Sequence, residues 1–182
     1  MRYTIAIICI FIIWGCDDNS VIPPGSSDVK SGDVLVVNEG GFQRGNASLG
    51  LYNIITNTYQ ARVFEDVNGA PVGDVLQTIV AHNDEYWVIV NNSGKIVVLD
   101  SADLSVKHTI TGFKSPRYIK FYQSKAFVSD LYANEVAVVN TTSYRIDNFI
   151  PIEGWTDQID EVGGKLYVAN RERPITQKRL SR

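Results

Sequence analysis

A segment of about forty residues recurs along the chain, and this repeat constrains the fold more than any other feature. Residues 125–131 read KAFVSDL, and residues 165–171, forty positions later, read KLYVANR. Residues 86–92 read YWVIVNN and begin thirty-nine positions before the first of these. A looser copy, DVLVVNE, occupies residues 33–39. A fixed period of this length is the signature of a fold built from stacked, equivalent units.

Other segments keep the same step, so the repeat is not confined to one motif. The tetrapeptides LQTI at 76–79, PRYI at 116–119 and TDQI at 156–159 stand forty residues apart, and each ends in isoleucine. The segment VVLD at 97–100 returns as AVVN at 137–140. Because several segments recur together, chance is a poor explanation and a repeat architecture is favoured.

Each unit has the pattern of four short strands. One unit runs RYIKFYQS, AFVSDL, EVAVVNT and YRIDNFIPI, with turn-forming residues between the apolar runs. The nearly continuous apolar runs WVIV and IVVL indicate strands that are buried on both faces. Four-stranded antiparallel sheets at this period predict an all-β fold, a β-propeller, in which each blade packs between two others. Ile79, Ile119 and Ile159 should then occupy equivalent positions of the inner strands.

The repeat spans residues 32–170, which is enough for about three and a half blades. Closing a propeller ring takes at least four blades, so the predicted propeller is incomplete. Residues 171–182 depart from the pattern, with five basic and one acidic residue, whereas residues 17–170 hold eleven basic and nineteen acidic residues. Two explanations stay open: a truncated or frame-shifted product of a longer gene, and a half-propeller that oligomerises. An open ring would expose a blade face and an edge strand.

The first residues predict export. Residues 1–15 combine a basic residue with a short apolar run typical of a signal peptide, and the run is too short for an ordinary membrane span. IWGC resembles a bacterial lipobox, so Cys16 is the expected lipidation site, at which acyl chains would hold the protein to a membrane. The alternative is an uncleaved anchor with an incidental cysteine. Residues 16–31 contain prolines, glycine and polar residues, which favours a flexible tether.

The repeat also resembles a known family. The segment KLYVAN, a preceding glycine and isoleucine, and NEVAVVNTTSYRI are similar to the YVTN-type β-propeller repeat, and the resemblance covers residues 70–170. The matching positions are Gly112, Ile119, Phe127, Val128, Asn134, Val138, Val139, Asn140, Thr141 and Thr142, and again Gly154, Ile159, Tyr167, Val168 and Asn170.

This resemblance has implications for location and function. Lipobox-bearing members of the family include a surface group in Bacteroidetes-type bacteria, and some of those capture corrinoids such as vitamin B12 for a TonB-dependent outer-membrane transporter. The resemblance therefore implies a lipid-anchored outer-membrane lipoprotein that captures a nutrient, on the cell surface or at the periplasmic face. Asp17 and Asp18 resemble a surface-export signal, or else belong to a simple spacer. The alternative function is an adhesion or protein-interaction scaffold.

Two classes of loop should open on one face of the predicted propeller: those after each second strand and those before each first strand. Aromatic rings with polar and charged neighbours on that face suit a flat ligand with polar edges: a glycan, a small molecule such as a corrin ring, or a peptide. Each residue could instead serve only a turn or a blade junction. The candidate ligand-binding residues are Phe42, Arg44, Asn91, Asn92, Phe113, Arg117, Asp130, Tyr132, Trp155 and Asp157.

The sequence favours a binding protein over an enzyme. His82 is expected near the opposite face and His108 on an outer strand, so neither predicts a metal site or a catalytic base. The sequence contains no phosphate-binding loop, no dinucleotide-binding fingerprint and no nucleophile motif. We therefore expect no catalytic residues, no metal and no cofactor. The acidic body also disfavours nucleic acid as a partner.

Overall fold

The computed structural model describes residues 29–30 and 32–171, and these form an all-β structure with one short helix. The elements are β1 (Asp33–Asn38), β2 (Ser48–Asn53), β3 (Thr58–Gln60), α1 (Val63–Asn68), β4 (Leu76–His82), β5 (Glu85–Val90), β6 (Lys95–Asp100), β7 (Val106–Thr111), β8 (Pro116–Tyr122), β9 (Lys125–Asp130), β10 (Glu135–Asn140), β11 (Arg145–Pro151), β12 (Trp155–Val162) and β13 (Lys165–Arg171).

The strands form four antiparallel sheets in which consecutive strands are neighbours. The second sheet has the order β4-β5-β6-β7 and the third has the order β8-β9-β10-β11, so these two have the predicted four strands. The first sheet, β1-β2-β3, has three strands, and β12 and β13 pair as the fourth sheet of the described residues. The first unit also contains a helix that the four-strand pattern does not predict: α1 forms because Val63 and Phe64 are buried against the first sheet.

The first strands of the second, third and fourth sheets are equivalent, as the repeat predicts. Ile79, Ile119 and Ile159 lie on β4, β8 and β12, and their backbone partners are Val88, Val128 and Val168. In each of these strands, the pairing register also shifts within the three residues that precede the isoleucine. The repeat has therefore preserved a β-bulge as well as a side chain.

Hydrophobic side chains join the sheets face to face. Val88 and Val90 of β5 belong to a core cluster shared with the first sheet, whereas Trp87 and Ile89 belong to a cluster shared with the third sheet. The nearly unbroken apolar runs thus reflect burial on both faces, as predicted. Fully burying a side chain of this size contributes about 1.5–3 kcal/mol, so these alternating residues are the main stabilising contacts between sheets.

Several predicted segments lie outside the described residues: the signal peptide, Cys16, most of the expected tether and residues 172–182. Val29, at the end of that tether, donates a backbone hydrogen bond to Ala102 and packs against the first core cluster. At the other end, β13 includes Arg171, one residue beyond the predicted limit of the repeat. Among the described residues, no helix has the length and apolar character needed to cross a membrane.

Candidate ligand-binding site

The bulges of the inner strands bring three equivalent side chains together. Gln77, Arg117 and Asp157 are the second residues of the three repeated tetrapeptides, and each lies at the register irregularity of its strand. The Arg117 side chain donates from Nη1 to Oε1 of Gln77 at 3.0 Å and from Nε to Oδ1 of Asp157 at 3.4 Å. Bulges redirect side chains and are common beside functional sites. Here the bulges let the Arg117 guanidinium group of the third sheet contact side chains of the second and fourth sheets.

A second arginine completes this group, which we call the Asp157 cluster: Gln77, Arg117, Asp157 and Arg171. Nη2 of Arg171 lies 2.8 Å from Oδ2 of Asp157. The Asp157 side chain is 12% exposed and that of Arg117 is 23% exposed, whereas that of Arg171 is 64% exposed. Two guanidinium groups therefore share one carboxylate, which leaves the cluster with an excess positive charge that solvent can reach.

An aromatic pair lies beside the Asp157 cluster. The rings of Tyr132 and Trp155 meet edge to face, with centroids 5.4 Å apart, and Tyr132 is 55% exposed. Trp155 is the cross-strand partner of Arg171, so their side chains lie on the same face of the β12–β13 ladder. Gly154 makes this approach possible: its φ is +88°, and a Cβ there would lie 2.5 Å from the carbonyl oxygen of Arg171.

Two of the candidate residues are buried and serve the loops themselves. Asp130 is 4% exposed, and its carboxylate accepts backbone hydrogen bonds from Lys114, Ser115 and Tyr132. Asn91 is 7% exposed, donates to the carbonyl oxygen of Pro116 and accepts from the Ser115 hydroxyl. These side chains hold the segments that precede β8 and follow β9. Their contribution to a site on this face is to position Tyr132 and Arg117.

The buried Thr156 joins the third sheet to the fourth. Its hydroxyl accepts a hydrogen bond from the Asp130 amide at 2.8 Å and donates to the Asp130 carbonyl oxygen at 3.0 Å. Since Thr156 lies between Trp155 and Asp157, this contact fixes both side chains against the third sheet. The aromatic pair and the Asp157 cluster are therefore held by buried polar contacts.

An open groove of about 550 Å³ begins one residue beyond the Asp157 cluster on the same two strands. Tyr118 follows Arg117 and Gln158 follows Asp157, and the Arg117 guanidinium lies 5.9 Å from the centroid of the Tyr118 ring. A volume of this size is within the range of small-ligand sites. The groove is lined by Tyr118, Lys120, Gln158, Ile159, Asp160, Tyr167, Val168 and Ala169.

Three other candidate residues, Phe42, Arg44 and Asn92, lie at the Asp74 loop. Asn92 donates to Asp74, which also accepts from the backbone amides of Gln43 and Gly45 and so holds the loop that carries Phe42 and Arg44. The hydrogen bond from Asn92, followed by those from the loop amides, lowers the pKa of Asp74.

Phe42 is 66% exposed, whereas Phe113 packs partly buried against the second core cluster. Within the described residues, no hydrogen bond or ring contact joins Phe42, Arg44 or Asn92 to the Asp157 cluster. The ten candidates therefore do not form one site. Arg117, Tyr132, Trp155 and Asp157 come together.

Sequence reasoning omitted three residues that organise these groups: Gln77, Asp74 and Arg171. Gln77 had a visible signal, because it occupies the same position in LQTI as Arg117 in PRYI and Asp157 in TDQI. The isoleucine of each tetrapeptide is the conspicuous feature, and the polar residue two positions earlier changes chemical type from unit to unit. Arg171 had no such signal, since it directly follows the last residue that the repeat pattern includes.

The opposite face has a second polar group, which we call the Glu85 cluster: Glu85, Trp87, Lys107 and Tyr144. The Glu85 carboxylate accepts from the Tyr144 hydroxyl at 2.6 Å and the Trp87 indole at 3.1 Å, and lies 3.0 Å from the Lys107 ammonium. Burial of Glu85 opposes its ionisation, but the hydrogen bonds from Tyr144, Lys107 and Trp87 outweigh burial and hold its pKa below the ordinary value. The cluster joins the second sheet to the third.

Both histidines stack on aromatic rings near this cluster. His82, the last residue of β4, stacks on Phe121 with centroids 3.9 Å apart, and His108 of β7 stacks on Tyr144 at 3.8 Å. Burial lowers the pKa of His82, with an opposing effect from the charge of Glu85. Over residues 29–30 and 32–171, no group of three or more His, Cys, Asp or Glu side chains is arranged to hold a metal ion.

These features define an all-β, propeller-like protein with a polar cluster and an aromatic pair at one end of its inner strands. The chain belongs to the DUF5074 family, described as a domain of unknown function, whose model matches residues 32–176. Among curated proteins, none matches the sequence.

Solved structures resemble the fold at low sequence identity. Saccharomyces cerevisiae Sqt1 has a TM-score of 0.55 and 13% identity, over 77% of this chain and 38% of that chain. The extracellular domain of BT3049, described as a hybrid two component system of B. thetaiotaomicron, has a TM-score of 0.54 and 16% identity, over 80% and 18%. An exported protein of Bacteroides fragilis, BF0058, has a TM-score of 0.50 and 10% identity, over 82% and 38%. The chain thus spans less than half of each structure, and the likeness concerns the fold alone.

Proposed function

We propose that this protein is the ligand-binding, propeller-like part of an exported lipoprotein that captures a nutrient for uptake across the outer membrane. The observation that carries the proposal is the group formed by Trp155, Tyr132 and the Asp157 cluster beside an open groove of about 550 Å³. Aromatic area for stacking, adjacent to a few oriented polar groups, is the usual composition of a small-ligand site.

Export and anchoring are part of the proposal. Two of the structural neighbours are described as extracellular and exported, which supports location outside the cytoplasm. Lipidation of Cys16 would keep the mature chain on the outer membrane, with its binding face at the cell surface. A Cys16→Ser variant should leave the membrane fraction and fail to take up labelled acyl chains. Unchanged membrane association of that variant would refute the anchoring.

The sheets of this protein would form part of a YVTN-type propeller. The two four-stranded sheets, the three-stranded first sheet and the β12–β13 pair fit three and a half blades of a YVTN-type propeller. Such a protein would act by binding rather than by catalysis, and a TonB-dependent transporter would be its partner. A corrinoid is one ligand that this resemblance suggests, because a corrin ring is flat and carries polar groups at its edge.

Calorimetric titration of the full chain with cobalamin and with a panel of neutral and acidic glycans tests ligand capture. We expect one of these ligands to bind, and Trp155→Ala to weaken that binding more than Phe42→Ala. Binding lost in Phe42→Ala but unchanged in Trp155→Ala would place the site at the Asp74 loop. If no ligand binds while a surface protein does, the scaffold function replaces ligand capture.

A further inference from the structure

We propose that the site at Trp155 selects ring-shaped ligands that carry a carboxylate, and that these ligands are acidic sugars. This inference rests on the proposed function and adds the charge of the ligand to it. The reason is an imbalance inside the Asp157 cluster: Arg117 and Arg171 contribute two positive charges, while Asp157 contributes one negative charge. An aromatic pair alone would accept neutral rings equally well.

Both arginines have N–H donors that are available to a ligand. Arg117 uses Nε on Asp157 and Nη1 on Gln77, and Arg171 uses Nη2 on Asp157. In the part of the chain that the structure describes, Nη2 of Arg117 and both Nε and Nη1 of Arg171 have no hydrogen-bond partner. Each of these nitrogens is a charged donor, and a charged donor binds an ionised oxygen about twice as strongly as a neutral one. The free donors therefore suit a carboxylate better than a hydroxyl group.

Asp157 holds these donors in place and offsets only one of the two positive charges. Its side chain is only 12% exposed and is anchored through the neighbouring Thr156, so Arg117 is fixed between two strands. Arg171 is anchored at one nitrogen and is otherwise open to solvent, with its side chain 64% exposed. A ligand carboxylate approaching Arg171 meets an arginine that is already oriented, which lowers the entropy lost on binding.

The aromatic pair favours a ligand whose carboxylate is attached to a ring. Because Trp155 is the cross-strand partner of Arg171, a ring that lies on Trp155 has its edge next to the guanidinium group. A pyranose ring presents an apolar face of C–H groups for stacking, and in a uronic acid the carboxylate projects from the ring edge. Trp155 and Arg171 would then contact the two chemically distinct parts of one residue of the sugar chain.

The test compares trigalacturonate with its fully methyl-esterified form, which keeps the same rings and linkages but carries no charge. We expect the full-length protein to bind the acid at least about tenfold more tightly than the ester, equivalent to about 1.4 kcal/mol. Raising the salt concentration should weaken binding of the acid and leave binding of the ester unchanged. Equal affinity for the two forms would overturn the inference and leave ligand capture standing.

Variants assign the effect to the Asp157 cluster. Arg171→Gln should lose most of the preference for the acid, whereas Arg171→Lys, which keeps the charge without the planar fork, should retain part of it. Arg145→Gln is the matched control, since it removes the same charge from the exposed outer strand β11. If Arg145→Gln and Arg171→Gln reduce the preference equally, the effect is that of net charge and the inference is wrong.

Two further results separate this inference from the proposed function. If cobalamin or a neutral glycan binds and trigalacturonate does not, the inference fails while ligand capture stands. If none of these probes binds to a protein whose circular dichroism shows the expected β-structure, both fail together.

Discussion

The Glu85 cluster and the Asp157 cluster use similar chemistry on opposite faces, and their difference separates a structural contact from a candidate binding site. Each centres on one carboxylate with a basic side chain beside it. Around Glu85, the donors are the Trp87 indole, the Tyr144 hydroxyl and the partly exposed Lys107 ammonium, and together they occupy both carboxylate oxygens. Around Asp157, two arginines share one carboxylate, each on a different oxygen, and Arg171 is 64% exposed.

This comparison shows that the balance of charges and donors around the carboxylate matters more than the presence of the charges. A buried carboxylate with all its hydrogen bonds satisfied rigidifies the junction between sheets, and it has no remaining capacity for a ligand. A carboxylate that orients two arginines while leaving guanidinium donors free keeps that capacity. The histidines near Glu85 follow the first pattern, because each is stacked on an aromatic ring.

The largest expected effect comes from Glu85→Ala, which should lower the free energy of unfolding by about 3 kcal/mol, because the buried Trp87 indole, the Tyr144 hydroxyl and the Lys107 ammonium lose their shared acceptor. Chemical denaturation with fluorescence detection measures the change. Asp147→Ala is the control: it removes the surface partner of Lys125 and should cost less than about 1 kcal/mol. A loss for Glu85→Ala no larger than that of the control would show the cluster to be dispensable.

The second effect concerns ligand binding at the other face. Trp155→Ala should weaken binding of whichever ligand is captured by about thirtyfold, or about 2 kcal/mol, because it removes the stacking surface next to Arg171. His82→Ala, on the opposite face, should leave the affinity nearly unchanged. Isothermal titration of both variants measures the difference. The reverse result would mean that the binding face has been assigned to the wrong end of the sheets.

A third prediction applies one chemical change to both clusters. Asp157→Asn should lower the free energy of unfolding by only about 1 kcal/mol, since water can reach the guanidinium group of Arg171 and replace the lost contact. Glu85→Gln should cost more than Asp157→Asn, because the Lys107 ammonium and the buried indole of Trp87 lose an ionised acceptor. Equal losses in the two variants would remove the distinction drawn between the clusters.

The smallest effect is a pH dependence of stability through His82. Its pKa in the folded protein is lowered by burial, so below its ordinary value of 6.5 the unfolded chain binds the proton more readily than the folded one. Stability should therefore fall as the pH drops from 7 toward 5, by about a few tenths of a kcal/mol because solvent screens the partly exposed ring. His82→Gln should remove this component from a series of denaturation curves. A slope that persists in that variant would assign the dependence to another group.

The repeated tetrapeptides illustrate how far sequence reasoning reaches. Ile79, Ile119 and Ile159 could be placed correctly because a regular period and an apolar side chain are local properties that strand pairing preserves. The same tetrapeptides contain Gln77, Arg117 and Asp157, yet their contact depends on bulges that turn them toward one another across three sheets. The same limit applies to Asn91 and Asp130. Both have polar side chains that could bind a ligand, but the structure shows that these side chains form hydrogen bonds inside the fold.

The sequence by itself determined the all-β architecture, the antiparallel units and the double-sided burial of β5 and β6, since periodicity and alternation of apolar residues dictate these features. It did not determine that α1 would form in the first unit, or that Val29 would pack against the core, because both depend on apolar surface created by the neighbouring sheets. Only the tertiary structure decided which polar residues are satisfied and which remain open. That distinction depends on the positions of hydrogen-bond partners more than a dozen residues apart, as with Arg117, Gln77 and Asp157.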